Sequence, residues 1–231
     1  MLSLNADEII IGTFTGLYEI KAQLEKMGLP AKINTGFIEM SVKAREAFVS
    51  DFGRESQALA GEVAELGVYR GDFARRINAA FPHKKLYLLD TFEGFSANDL
   101  TENEKMGRSV GARHFANTSV DLVLSKMPHP ENCVVVKGWF PQSARGLENV
   151  RFAFVNLDCD LYEPILAGLR FFYPKMVAGG VILIHEYFSP GYVGVRQAVL
   201  EFMAENALAD YQKMPIGDNL SVAILKIPRS T

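Results

Sequence analysis

The 231-residue sequence has little cysteine: only Cys133 and Cys159 are present. Both lie in apolar, strand-like runs and neither opens a C-x-x-C pair. That argues against a disulfide framework or a zinc site and for buried, reduced thiols. Long apolar runs are also missing, and none approaches the roughly 18 residues that a membrane-spanning helix requires. The first twelve residues, MLSLNADEIIIG, lack a basic segment followed by an apolar stretch, so they do not read as a secretory leader. The expectation is a cytoplasmic protein with no membrane partner. Basic runs are short: Arg75-Arg76 and Lys84-Lys85 are dipeptides, and the formal net charge is -3. A nucleic-acid binder normally carries a basic face, so no nucleic-acid partner is expected. Internal repeats, low-complexity tracts and Pro/Gly/Ser-rich linkers are absent as well.

What is present is an ordinary globular balance, 48% hydrophobic against 22% charged residues, which suffices for a sizeable core and differs from the composition of disordered chains. Apolar positions at helical spacing predict a helix near Leu17–Met27, stopped by Gly28 and Pro30, and another over 40–59 (Met40, Ala44, Ala47, Phe48). From residue 61 short apolar runs alternate with helical patterns. The runs are Val63–Leu66, Leu86–Leu89, Val134–Val136, Phe152–Leu157 and Val177–Ile184; the helices fall near 72–81, 112–127, 162–173 and 193–205. This alternation implies an α/β fold with a doubly wound, mostly parallel sheet. Segments 210–216 and 219–227, around Gly217-Asp218, predict a C-terminal antiparallel hairpin. Residues 1–55 are thus expected to form an N-terminal helical extension, and 56–231 the main domain. The polar, glycine-containing stretch 94–111 reads as an insertion, either a lid or a plain surface loop.

The strongest local signal is GEVAELGVYRGDFARRI, residues 61–77. A strand ends at Glu65-Leu66-Gly67, a turn follows, and a helix starts near Gly71-Asp72. Gly67 permits a tight turn and close backbone approach, and the helix start offers free N–H groups to an anionic group. The spacing E-x-G-x-x-x-G is not the dinucleotide fingerprint G-x-G-x-x-G, because Tyr69 replaces the middle glycine. A second signal is Asp90, 19 residues beyond Gly71 at the end of the next apolar run. A carboxylate there can bind both ribose hydroxyls of a nucleoside cofactor, or it can cap a turn.

The other chemistry sits at two later strand ends, Asn156-Leu157-Asp158-Cys159-Asp160 and His185-Glu186. Open α/β sheets bind ligands at the carboxyl ends of their strands. Asp158, Asp160, His185 and Glu186 converge there and can hold a divalent cation, the carboxylates favouring Mg²⁺ or Mn²⁺. Three carboxylates on one edge repel one another without a positive partner. A cation would relieve that repulsion and acidify an attacking hydroxyl. Alternatively, His185 serves as a general base with no metal, as a neutral imidazole near its unperturbed pKa would allow.

With these residues assembled, the chain resembles the macrocin O-methyltransferase-like family, the sugar O-methyltransferases of macrolide and aminocoumarin tailoring. The resemblance runs from about residue 55 to 205 and rests on AELGVYRGDFA, LLDTFEGF, KGWFP, LDCDLYEPILAGLRFFYPKMVAGG and HEYFSPGYVGVRQAVLEF. It implies a seven-stranded class I methyltransferase fold, S-adenosylmethionine as donor and a magnesium-dependent attack by a hydroxyl of a small, sugar-containing acceptor. It further implies that Glu65, Gly67 and Gly71 line the methionine end, that Asp90 with Thr91 takes the ribose, and that Trp139 lies near the adenine. Asp158 would be a metal ligand and Asp160 the general base. Where the family shows two adjacent aspartates this chain has His185-Glu186, which remain candidate ligands beside Asp158. The family's N-terminal region helps cover the acceptor and build an oligomer, so the resemblance implies that residues 1–55 cover the acceptor and that the protein is a homo-oligomer. Two other readings stay open: a nicotinamide-dependent oxidoreductase, which Tyr69 opposes, and a non-catalytic cofactor-binding subunit.

Overall fold

Apolar segments buried on both faces must pair their backbone groups with neighbouring strands, because no water can reach them. In the computed structural model, which describes residues 7–12, 17–95, 115–206 and 211–228, they do so within one sheet. In chain order the elements are β1 (Glu8–Ile10), α1 (Leu17–Lys26), β2 (Lys32–Asn34), α2 (Gly36–Glu55), β3 (Glu62–Leu66), α3 (Asp72–Ala80), β4 (Leu86–Asp90) and α4 (Val120–Ser125). There follow β5 (Cys133–Lys137), β6 (Phe152–Leu157), α5 (Tyr162–Phe172), β7 (Met176–Ile184), α6 (Val193–Asn206), β8 (Tyr211–Pro215) and β9 (Val222–Lys226). The seven-stranded sheet has the order β5-β4-β3-β6-β7-β9-β8. Strands β3 to β7 run parallel, and β9 pairs antiparallel with both β7 and β8. The expected C-terminal hairpin is therefore present, with β9 rather than β8 joining the parallel strands.

Two apolar cores flank the sheet, one on each face. In the first, Leu66, Leu157 and Ile184 pack with Leu169 of α5 and Val199 of α6. In the second, Val63, Phe154 and Leu183 pack with Val49 of α2, Ile77 of α3 and Val123 of α4. Phe52 of α2 lies 5.8 Å from Phe154 and 6.3 Å from Phe81, ring centre to ring centre. Helix α2 is thus a wall of the second core, although it lies before residue 56.

The N-terminal extension is not purely helical. β1 and β2 form a small parallel sheet, with Glu8 opposite Lys32 and Ile10 opposite Asn34. Strands of three residues are too short for alternation to register in the sequence. Helix α2 begins at Gly36, four residues before the expected start, because Asn34 Oδ1 accepts the Gly36 N–H at 2.9 Å and turns the chain into the helix. Helix α4 starts at Val120 rather than 112. Ser119 caps it, its hydroxyl accepting the Leu122 N–H at 3.1 Å. Of the expected insertion at 94–111 only Gly94 and Phe95 are among the described residues. Among the described residues no helix is long and apolar enough to cross a membrane.

Candidate active site

The parallel strands bring their carboxyl ends to one edge, and the ladder runs one residue past each end. The Gly67 N–H donates to Leu89 O at 3.0 Å, Asp158 N–H to Leu66 O at 2.8 Å, and His185 N–H to Leu157 O at 3.0 Å. Gly67, Asp158 and His185 are therefore held in register side by side. A cavity of about 810 Å³ opens above them, and Glu65, Gly67, Asp90, Thr91, Trp139, Asp158, Asp160, His185 and Glu186 all line it. Gly71 does not. It begins α3 in the left-handed region (φ 76°), and a Cβ there would lie 2.9 Å from Val123 Cγ1. The absence of a side chain at this position lets α3 pack closely against α4.

The first end of the cavity is built by the β3–α3 turn. Gly67 has φ 86°. Tyr69 follows with φ 48°, and its hydroxyl donates to Asn117 Oδ1 at 2.7 Å. Asp90 holds this turn. Its Oδ2 accepts the N–H groups of Val68 (2.7 Å) and Tyr69 (2.9 Å), and its Oδ1 accepts that of Phe92 (2.6 Å). A carboxylate has about four acceptor positions, so about one remains for a ligand, fewer than the two that grasping both ribose hydroxyls would take. Thr91 is engaged locally: its hydroxyl donates to Gly94 O at 3.1 Å and accepts the Glu93 N–H at 3.2 Å. Trp139 is half-buried on the wall, between Gly138 and the Phe140 that packs on Phe172.

Glu65 is 1% exposed. Its Oε1 accepts from Asn156 Nδ2 at 2.8 Å, while Oε2 is buried without a hydrogen-bond partner. Burial, and then the charge of Asp158, push the Glu65 carboxyl well above its ordinary range. A buried carboxylate oxygen without a partner costs free energy. It fits a ligand that brings an N–H donor, and the α-ammonium of S-adenosylmethionine is such a group.

The second end belongs to β6 and β7. Asp158 Oδ1 faces His185 Nδ1 at 3.0 Å. Two acceptors cannot approach so closely without a proton between them, so Nδ1–H donates to the ionised Asp158 carboxylate. Burial alone would raise the Asp158 carboxyl. The charges of His185 and Arg45, with a hydrogen bond from each, outweigh burial and hold it well below the carboxylate range. Asp160 is shifted the opposite way, by burial first and then by the charges of Asp158 and Glu186. Asp160 (φ 62°) and Glu186 (φ 60°) both take left-handed backbone, which costs a non-glycine residue about 1–3 kcal/mol and tends to mark functional sites. Atoms of Asp158, Asp160 and His185 lie within 4.8 Å of one another and could hold a metal ion. Glu186 is outside that group, with Oε1 3.6 Å from His185 Nδ1. The structure thus brings the candidate groups Asp158 and His185 together with Asp160, while Glu186 lies outside that cluster.

Two participants carry no motif in the sequence. Arg45, from α2, reaches Asp158 Oδ2 at 2.8 Å, and Asn156 links Arg45 to Glu65. An arginine among helical surface residues gives no local signal of its partner 113 positions away. Arg45 also changes the charge balance: the carboxylates already have a positive partner. Both cysteines are free thiols, Cys159 buried and Cys133 half-buried, as their apolar contexts predict.

A family model described as Macrocin-O-methyltransferase (TylF) matches residues 48–222. The mycinamicin III 3''-O-methyltransferase of Micromonospora griseorubida is 27% identical over 165 residues, which are 65% of this chain and 63% of that protein. The 8-demethyl-8-(2,3-dimethoxy-alpha-L-rhamnosyl)-tetracenomycin-C 4'-O-methyltransferase of Streptomyces olivaceus is 24% identical over 161 residues, 65% of this chain and 60% of that protein. The match therefore spans a little under two thirds of either relative's length. Among solved structures the O-methyltransferase NovP superposes with a TM-score of 0.65 at 22% identity, covering 80% of each chain, which shows a shared fold.

Proposed function

Because the chain belongs to the macrocin O-methyltransferase family, we propose that it transfers the methyl group of S-adenosylmethionine to a hydroxyl oxygen of a small, sugar-containing acceptor. One observation carries this reading: a single cavity joins the Glu65–Asp90 turn to the Asp158–Asp160–His185 cluster. Glu65 Oε2, buried without a partner, would accept from the methionine ammonium. Asp90 takes one ribose hydroxyl while keeping its hold on the turn, and Trp139 flanks the adenine. At the other end, the acceptor oxygen attacks the methyl carbon, the sulfonium becomes a thioether, and the hydroxyl proton passes to Asp160. Burial and the neighbouring charges make the ionised Asp160 a stronger base than a free carboxylate while no cation is bound to it. The rhamnosyl group named in one relative supports a sugar in the acceptor.

The donor set Asp158, Asp160 and His185 fits a divalent cation in number and chemistry. When bound, such a cation supplies Lewis acidity that acidifies the hydroxyl. A second reading is favoured by the Asp158–His185 contact and the Arg45 charge beside it. Here Asp158 orients the imidazole and Nε2 accepts the hydroxyl proton, with no cation needed.

The test is a methylation assay with S-adenosylmethionine and a panel of glycosides and nucleotide sugars, run with EDTA and with EDTA followed by Mg²⁺ or Mn²⁺. Product formation that chelation abolishes and cation restores supports the metal-assisted form. Full activity after exhaustive chelation supports His185 as base. Binding of NAD in preference to S-adenosylhomocysteine would sink both.

A further inference from the structure

The acidic cluster contains its own counter-charge, delivered by a helix outside the strand-end motifs. Arg45 sits in the middle of α2, and its side chain is 11% exposed. Its guanidinium carbon lies 3.9 Å from the ring centre of Phe73, a cation–π contact that restrains the group. Nη2 donates to Asn156 Oδ1 at 3.0 Å and to Asp158 Oδ2 at 2.8 Å. Asn156 donates in turn to Glu65, and the other oxygen of Asp158 meets His185. A continuous chain, Glu65–Asn156–Arg45–Asp158–His185, thus joins the two ends of the cavity. Arg45 is its central member.

We propose that Arg45 is a positioning residue that fixes the Asp158 carboxylate and, as a resident positive charge of the cluster, sets how tightly Asp158, Asp160 and His185 take a divalent cation. The inference rests on reading this edge as the reacting end. With Oδ2 held by the guanidinium and Oδ1 by the imidazole, Asp158 cannot rotate without breaking a charge-assisted hydrogen bond. A cation approaching Asp158 meets a like charge across a few ångströms in a poorly screened site. Lysine would keep the charge, but it lacks the planar group that lies on Phe73 and bonds Asn156 and Asp158 together. Charge and alignment are therefore separable by substitution.

The experiment titrates Mn²⁺ into the full chain by electron paramagnetic resonance, comparing wild type with Arg45→Lys and Arg45→Met. Removing the charge should tighten Mn²⁺ binding about tenfold or more in Arg45→Met, whereas Arg45→Lys should stay within about threefold of wild type. In the methylation assay Arg45→Lys should lose about 10²-fold in kcat with little change in the KM for S-adenosylmethionine, because alignment and not donor binding is lost. A purely structural role would lower stability in both variants without this split. Mn²⁺ affinity that is unchanged or weaker in Arg45→Met, or no Mn²⁺ binding in any variant, overturns the proposal. Should Arg45→Met fail to fold, Arg45→Gln carries the same expectation. Absence of methylation by the wild type would sink the proposed activity instead, and the Mn²⁺ comparison would still decide the role of Arg45.

Discussion

Gly67 lies directly against the backbone of Asp158: a Cβ at position 67 would come within 2.2 Å of the Asp158 carbonyl oxygen. The β3–α3 turn and the end of β6 meet at that contact, and neither strand end can move without the other. Gly67→Ala combines this clash with a left-handed backbone (φ 86°). Stability should fall by about 2 kcal/mol or more, and S-adenosylhomocysteine binding should be lost. Urea denaturation and calorimetric titration check both, and an Ala variant with wild-type affinity would remove the turn from the donor site.

Glu65→Gln isolates the unpartnered oxygen at the donor end. Burial already favours the protonated carboxyl when no ligand is bound, so a neutral amide of the same shape should leave stability unchanged or slightly raised. Binding of S-adenosylhomocysteine should weaken about tenfold, the loss expected when a hydrogen bond to a charged group is removed. Equal affinity would place the ammonium elsewhere.

Asp90→Ala removes the acceptor of three backbone N–H groups. Leaving them unsatisfied should cost about 1–3 kcal/mol of stability, and donor affinity should fall as well. A variant that lost affinity at unchanged stability would show that the carboxylate serves the ligand and not the turn.

Helix α2 should behave as part of the main folding unit. Without residues 1–55, Phe154 and Phe81 lose Phe52, and Asp158 loses Arg45. Removing one buried aromatic alone costs about 3–5 kcal/mol, so the shortened chain should show no cooperative unfolding transition by circular dichroism. A wild-type transition in that chain would make the N-terminal segment a separable cover.

Cys133 should be a slow nucleophile. Burial, then the charge of Glu131, pushes its thiol up to about 11. A raised pKa keeps the thiol protonated, so reactivity is low at neutral pH and climbs as pH approaches that value. At pH 8 iodoacetamide should alkylate the native protein roughly 10²-fold more slowly than a free thiol of pKa about 8.5. Comparable rates for native and urea-unfolded protein would contradict the burial of this residue.

Much of the fold was legible in the residues alone. Buried parallel strands read as continuous apolar runs, and turn residues bound them, so β3 to β7 and helices α3, α5 and α6 fall where the alternation predicts. The candidate groups at the strand ends were legible for the same reason: a polar residue directly after an apolar run emerges at the sheet edge, as Asp90, Asp158 and His185 do. Short elements were not legible, because three residues in β1 or β2 carry too little pattern to separate strand from loop. Nor was the partner of each group. Asp90 could grasp a ribose or hold a turn, and only the positions of Val68, Tyr69 and Phe92 show how much of it the turn consumes. Likewise the carboxylates announced a need for positive charge. That Arg45 supplies some of it, across 113 residues, depends on how α2 packs against α3 and the sheet. Local sequence encodes periodicity and turn chemistry; which distant side chains meet is set by the packing of whole elements.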